Sequence, residues 1–519
     1  MQKAIWWSLL AAFSLTIVYF TFGLYYLKKG DAKVSPLQQA QITNQELSQV
    51  SSFFEEAKRK TQKIRITPFQ NRSYIKEITT PNFLEEKVVL FWFVPYGNDR
   101  TVPLEYLLET NNVTISNFGK LIRVDSRLCG KCRLTFDRDL ISKSDSVVFY
   151  VPDVNTRPSD LPHKASRREK QLYIWWLLES TAGIPFRTKA VPDFFFNLTM
   201  SVRRSSGVHS PYSTLPWILK MLWNKKFGQD IVKIFAKEKR VWLTRDLEKP
   251  IQSVPVDSYG TIYTNFRNVD SDIKPLLDKK KGLIAWIVSN CGNIPSSYLR
   301  FEYSDRLREN GLKIDQFGAC SDISFPIRNR WDPFFHEVLS TYKFYLAFEN
   351  AYHCNGYMTE KLWYNALYSG AVPIIFGPHK DDVSAALPPK SYIHTEDFKN
   401  PADLVKYIYY LDKNVTAYAE YLEWRTWVKF LDQNGELSSN LETNEEFNLL
   451  SKEQRKTILK YLNPTPSGFC GLCRKLHDQP SIDTYKIKSV NDWWEGTVRR
   501  ECMDIDLARS MTGLKENTQ

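Results

Sequence analysis

The chain has 519 residues, 43% of them hydrophobic and 25% charged, with a formal net charge of +12. That is the composition of an ordinary globular protein, long enough for two or three domains. The positive balance draws anionic partners, yet no zinc-finger spacing, RNA-binding signature or basic block broken by aromatics is present, which sets nucleic acid aside.

Ala4 to Leu27 is almost wholly apolar and uncharged, with Lys3 before it and Lys28 and Lys29 after it. It is long enough to cross a bilayer core. It exceeds the apolar stretch of a cleaved signal peptide and lacks a clean small-x-small site, so it reads as an uncleaved signal anchor. The downstream lysines argue against a lumenal chain under the positive-inside rule. Orientation therefore rests on sequons at Asn71, Asn112, Asn197 and Asn414, and on cysteine usage. Residues 28–85 are polar and read as a stem, part helical around Glu46 to Lys60.

Order begins at Val88 to Val94 (VVLFWFV), continues at Ser146 to Val151 (SVVFYV), and then at Gln171 to Leu178 (QLYIWWLL). The last delivers Glu179 at its carboxyl end. Apolar runs of this length between polar or helical segments predict buried strands of a parallel α/β sheet. A second set begins with Gly282 to Ser289 (GLIAWIVS) and Lys313 to Phe317. The join falls between Val254 and Leu276.

The densest segment is KFYLAFENAYHCNGYMTEKLWYNALYSGAVPIIFGP, Lys343 to Pro378. Phe344 to Phe348 reads as a strand and Asn355-Gly356 as a turn. Thr359 reads as the N-cap of a helix carrying Leu362, Trp363, Ala366 and Leu367 on one face. Gly370 stops it, and Val372 to Phe376 is the next strand. In such a βαβ unit ligands bind beyond the strand's carboxyl end. The helix start offers N–H groups to a diphosphate, with Lys361 in its first turn. Asn414 to Lys460 is polar and helix-prone.

Cys129 and Cys132, and Cys470 and Cys473, form CxxC pairs. On spacing alone they fit a zinc site, local loops or disulfides joining the ends of the fold; a secretory lumen favours disulfides. Cys291 and Cys320 are candidates to pair. Cys354 and Cys502 are left over, with Cys354 read as a free thiol open to alkylation. Asp137-Arg138-Asp139, Asp270-Ser271-Asp272 and Asp504-Ile505-Asp506 have DxD spacing but no evident strand-end setting.

The FEN tripeptide, YMTEKLWYNAL and GAVPIIFGP closely resemble the signature of the α1,3-fucosyltransferases, glycosyltransferase family 10. Further matching stretches run from FWFVPYG to FCGLCRKLHD and Asp492-Trp493-Trp494. The resemblance implies a GT-B-like α/β fold with two Rossmann-like domains facing a cleft. Their expected limits are 86–265 (acceptor) and 266–480 (GDP-fucose), after an anchor (1–27) and stem (28–85) and before a tail (481–519) that packs back. It implies transfer of L-fucose from GDP-fucose to a glycan acceptor, with Glu179 as the base. Arg300 and Lys361 would contact the diphosphate and Glu360 the ribose, with Tyr212, Ser289, Asn290, Tyr345, Asn350 and Tyr357 as further donor contacts. It also implies no obligatory metal, with stimulation by Mn²⁺ left open. Three departures stand out: Gly356 replaces an acidic residue before the tyrosine, Thr181 a proline, and Ser205-Ser206-Gly207 an Asp-Ser-Asp. The expected protein is a type II Golgi membrane enzyme, able to dimerise through its anchor or stem. A GDP-fucose- or glycan-binding protein without turnover is the alternative.

Overall fold

A computed structural model describes residues 85–93, 113–116, 121–126, 128–163, 166–183, 191–227, 260–263, 269–292, 295–327, 332–463, 465–478, 487–495, 502–503, 505–512 and 514. The anchor, the stem, Asn71 and Asn112 lie outside the described residues.

Among the described residues, two sheets organise the fold. The first has eight strands: β1 (Lys87–Phe91), β2 (Val113–Ser116), β3 (Leu121–Ser126), β4 (Gly130–Thr135), β5 (Ser146–Tyr150), β6 (Leu172–Leu177), β7 (Leu198–Ser201) and β8 (Val208–His209). Their order is β2-β3-β4-β1-β5-β6-β7-β8, parallel from β4 to β8, with β2 and β3 added as an antiparallel edge. The second is wholly parallel, β10-β9-β11-β12-β13. It comprises β9 (Gly282–Ile287), β10 (Asp315–Phe317), β11 (Tyr342–Phe348), β12 (Val372–Phe376) and β13 (Ile393–His394). Strands covered on both faces need unbroken apolar runs. LYIWWL and YKFYLAF are buried along their whole length.

The helices do not respect the expected 265/266 and 480/481 boundaries. Helix α1 (Leu215–Lys226) follows β8, yet Leu215, Ile218 and Leu219 enter the core around the second sheet. Conversely, a late helix, Gly468–His477, returns to the first sheet, where Phe469 packs on Phe91 and Trp176 with centroids 4.9 and 5.1 Å apart. A short helix at Val490–Glu495 covers the opposite face, with Trp494 against Trp175 at 4.7 Å. The return to the first sheet therefore starts before residue 480.

All eight cysteines are paired: Cys129–Cys470, Cys132–Cys473, Cys291–Cys320 and Cys354–Cys502. The CxxC pairs join residues 341 apart, and their thiols are committed to disulfides, not to zinc. The free thiol expected at Cys354 is corrected: its partner Cys502 lies 148 residues away in the tail. Asn197, an expected glycan carrier, lies next to β7. It is 8% exposed, and its side-chain oxygen accepts from the Tyr173 amide at 2.7 Å and from Arg167. Asn414 caps a helix through the Ala417 amide and remains partly exposed.

Candidate active site

Glu179 stands two residues beyond the carboxyl end of β6. One carboxylate oxygen accepts from the Tyr212 hydroxyl at 3.0 Å and the other from the Tyr357 hydroxyl at 2.8 Å. Tyr212 follows β8, and Tyr357 follows β11 of the other sheet. The carboxylate is thus gripped from both halves of the fold. Burial, and next the Glu179 charge, push the Tyr357 phenol well above its usual range, so it stays a donor. A carboxylate oxygen has a second lone pair, so each can still accept from an incoming hydroxyl. The following turn is anchored where Thr181 meets Cys502 at 3.0 Å.

The signature segment differs from expectation in its helix. Lys361–Tyr368 is a π-helix, a form enriched at functional sites. Glu360 before it is already helical, and Thr359 caps the helix as expected: its carbonyl accepts from the Leu362 and Trp363 amides at 3.1 and 3.3 Å, and its Oγ1 lies 3.5 Å from the Lys361 amide. The Thr359 amide and hydroxyl also donate to Glu349 at 2.7 and 2.8 Å, and Lys361 Nζ donates to the same carboxylate at 3.1 Å. Glu349, one residue past β11, occupies the anion-attracting position at the helix start. Sequence reading missed it; the signal was the acid inside the FEN tripeptide. Burial pushes the Glu349 carboxyl up, opposed by Lys361. Burial acts on Lys361 in the other direction, but Glu349 and Glu360 outweigh it and hold the ammonium protonated. The two shifts pull against each other across one contact. Three donors on one carboxylate favour the charged pair.

Arg300 lies on the helix Pro295–Glu309 (α2) and is only 1% exposed. It donates to Asn350 Oδ1 at 2.6 Å, to the Phe348 carbonyl at 3.3 Å and to the Asn290 carbonyl. Burial pulls its guanidinium below the usual range, and Glu349 leads the groups opposing that. Its Nε is buried without a partner. Tyr345 is fully buried in β11, where Asn365 donates to its hydroxyl at 2.9 Å; burial pushes that phenol up to about 12. It is a core side chain. Ser289 is exposed, and Asn290 turns its Oδ1 onto the Gly292 amide. Two basic groups, two strand-end carboxylates and two phenols therefore converge at the carboxyl ends of both sheets. Such an arrangement can take a proton at Glu179.

The DxD triplets have local roles. Asp137 caps a turn through the Asp139 amide while Arg138 pairs with Asp160, and Asp270 accepts from the Asp272 amide. Asp504 lies outside the described residues.

Two family profiles match the chain. One described as "Fucosyltransferase, N-terminal" takes in residues 84–213, and "Glycosyltransferase family 10 (fucosyltransferase) C-term" takes in 277–493. Together they cover more than half of the chain. The chain belongs to glycosyltransferase family 10. It is 33% identical over 294 residues to the 4-galactosyl-N-acetylglucosaminide 3-alpha-L-fucosyltransferase FUT6 of Homo sapiens. To the 3-galactosyl-N-acetylglucosaminide 4-alpha-L-fucosyltransferase FUT3 of Bos taurus it is 32% identical over 294 residues. These matches span 57% of this chain and 65% and 64% of the relatives, just under two thirds of their length. A solved "Crystal Structure of alpha1,3-Fucosyltransferase with GDP" aligns over 76% of this chain and 92% of that one, at 16% identity and a TM-score of 0.38.

Within this family-10 chain the acidic pair missing near Ser205 and Gly207 does not leave Arg203 unsupported. Its guanidinium lies 3.9 Å over the Trp494 ring and 4.8 Å from the Trp493 ring, and reaches the Trp494 carbonyl at 3.4 Å. Where the acid before Tyr357 is missing, Asp382 approaches instead: its carboxylate accepts from the Gly356 amide at 2.7 Å and lies 3.7 Å from Arg204.

Proposed function

We propose that the protein is an inverting fucosyltransferase that moves L-fucose from GDP-β-L-fucose in α1,3 linkage to GlcNAc of glycoprotein or glycolipid glycans. The observation that carries this reading is the Glu179 carboxylate, held by one phenol from each half of the fold beside the Glu349–Lys361 pair. In the proposed step Glu179 takes the proton of the acceptor hydroxyl as its oxygen bonds to fucose C1 from the face opposite the phosphate. The C1–O bond to the β-phosphate breaks, and GDP leaves with the bonding electrons. Arg300 and Lys361 offset the charge that develops on the diphosphate, and Glu360 binds ribose hydroxyls. Ser289, Asn290 and Asn350 line the donor side. Basic side chains and the helix start do this without an obligatory metal, and Mn²⁺ is at most a stimulant. The two sheets take a GT-B-like arrangement in this reading. Residues 1–27 anchor the chain in the Golgi membrane as a single-pass type II protein, 28–85 form the stem, and Asn71, Asn112 and Asn414 carry glycans. Dimerisation would run through anchor or stem.

The test is incubation of the chain from the stem onward with GDP-fucose and N-acetyllactosamine or N-glycan acceptors. Glu179→Gln should keep GDP affinity and lose at least about 100-fold in transfer, as expected for a general base. Normal transfer by that variant would remove Glu179 from the mechanism, and no fucosylation of any acceptor by the wild type would favour a binding protein.

A further inference from the structure

Tyr357 donates to Glu179 from a loop that must itself be held in place. Upstream, Cys354 is bonded to Cys502, and the Tyr352 carbonyl accepts from the Met503 amide at 3.1 Å. Downstream, Thr359 is fixed on Glu349. Between these two anchors the chain passes through Gly356, at φ +68°. Glycine confines the backbone less than any other residue, and it has no side chain with which to fasten itself. Its amide is fastened from outside the loop, donating to Asp382 Oδ2 at 2.7 Å. A hydrogen bond to a carboxylate is roughly twice as strong as a neutral one.

Asp382 lies on the helix Lys380–Ala386, between β12 and β13 in the chain. Its amide donates to the His379 carbonyl at 3.0 Å, so its side chain leaves a fixed turn. The other carboxylate oxygen lies 3.7 Å from Nε of Arg204, which also reaches the Asp382 carbonyl at 3.4 Å. Arg204 stands three residues past β7 of the first sheet. The opposite side of Gly356 is closed as well, since a Cβ there would stand 2.2 Å from the Val202 carbonyl. The turn is thus clamped between Val202 and Asp382. Within it the Tyr357 amide donates to Cys354 and the Met358 amide to Gly356, at 3.2 and 3.0 Å, so the turn moves as a unit and carries the Tyr357 ring with it.

We propose that Asp382 is a positioning residue for transfer: by holding the Gly356 amide it keeps the Tyr357 hydroxyl on Glu179. The proposal rests on the fucosyl-transfer reading above. Three substitutions separate this role from general support of the fold. Asp382→Ala removes the acceptor. Asp382→Asn keeps an acceptor of the same reach and loses the charge. Asp382→Glu keeps the charge for Arg204 and displaces the carboxylate by one methylene. Asp382→Ala should lower kcat about tenfold, as a misplaced group at the reacting centre does, while GDP affinity, measured by calorimetry, stays that of the wild type. Asp382→Asn should stay within about threefold of wild type, the difference between a charged and a neutral acceptor, and Asp382→Glu should fall below it. That order can be read even if Asp382→Ala does not fold. In a Tyr357→Phe background, which already lacks the hydroxyl, Asp382→Ala should cost little more, because the two residues act in series. Asp382→Glu more active than Asp382→Asn, equal losses in the two backgrounds, or wild-type kcat in Asp382→Ala would each overturn the proposal. Fluorine NMR with 3-fluorotyrosine at position 357 needs no turnover. Its resonance should move in Asp382→Ala toward that of Glu179→Ala, and return in Asp382→Asn. Such a shift supports the role of Asp382 even if no acceptor is fucosylated, in which case only the transfer reading falls. A resonance unchanged by Asp382→Ala overturns the positioning.

Discussion

At the scale of single residues, the Lys361 ammonium has two duties that one substitution separates. It faces the proposed diphosphate position, and it neutralises Glu349, which is 2% exposed. Removing one partner of a buried pair leaves an unpaired charge, a loss of about 3–5 kcal/mol. Lys361→Met should therefore lower the denaturation midpoint as well as donor affinity. Adding Glu349→Gln removes the stranded charge, so the double variant should recover most of the stability. GDP affinity, measured by calorimetry, should stay weak in both. Recovery of GDP binding together with stability would mean that Lys361 serves only the fold. A carboxylate within a short tripeptide looks like a solvated strand end in sequence, because nothing local announces the three donors that fold back onto it. The apolar run placed Glu179 at a strand end, but only the family resemblance pointed to it as a base, and its two phenol partners lie 33 and 178 residues away.

At the scale of elements, the strands were the most readable part. Val372–Phe376 appears where its apolar run predicts, and the other runs hold to within about three residues at each end. The β2–β3 edge was not anticipated, since its short strands mix polar and apolar residues and are paired antiparallel by contacts that no parallel pattern announces. Nor was the π-helix, because 3.6-residue periodicity does not distinguish it over two turns. The loop before that helix turns on Gly356, at φ +68°, and a Cβ there would stand 2.2 Å from the Val202 carbonyl. The left-handed conformation alone costs an L-residue about 1–2 kcal/mol, and the approach to β7's downstream backbone forbids relaxation in place. Gly356→Ala should displace Tyr357 from Glu179. Expected results are at least a tenfold fall in transfer and a lower melting temperature, while far-ultraviolet circular dichroism stays that of the wild type. Full activity in that variant would show that the loop has room to shift without releasing the phenol.

At the scale of the whole molecule, each sheet is completed by helices from the other end of the chain. The α1 segment lies in the core around the second sheet, while Gly468–His477 and Val490–Glu495 cover the first. Apolar stripes on helices do not say which sheet they cover; the paired CxxC spacings, and the tail that the resemblance implied would pack back, were the traces of this exchange. Cys129–Cys470 and Cys132–Cys473 now close nearly the same loop. In the chain-entropy account, the first bond to form over a span this long restricts the unfolded chain by about 6 kcal/mol. The second then closes only a few residues and adds much less. Losses should therefore be far from additive. Replacing Cys129 and Cys470 by serine, or Cys132 and Cys473, should lower the urea midpoint modestly, and replacing all four should cost well over the sum of the two. Additive losses would mean that each bond stabilises through its own local packing around Phe469 and β4, and not by tying the ends of the chain together.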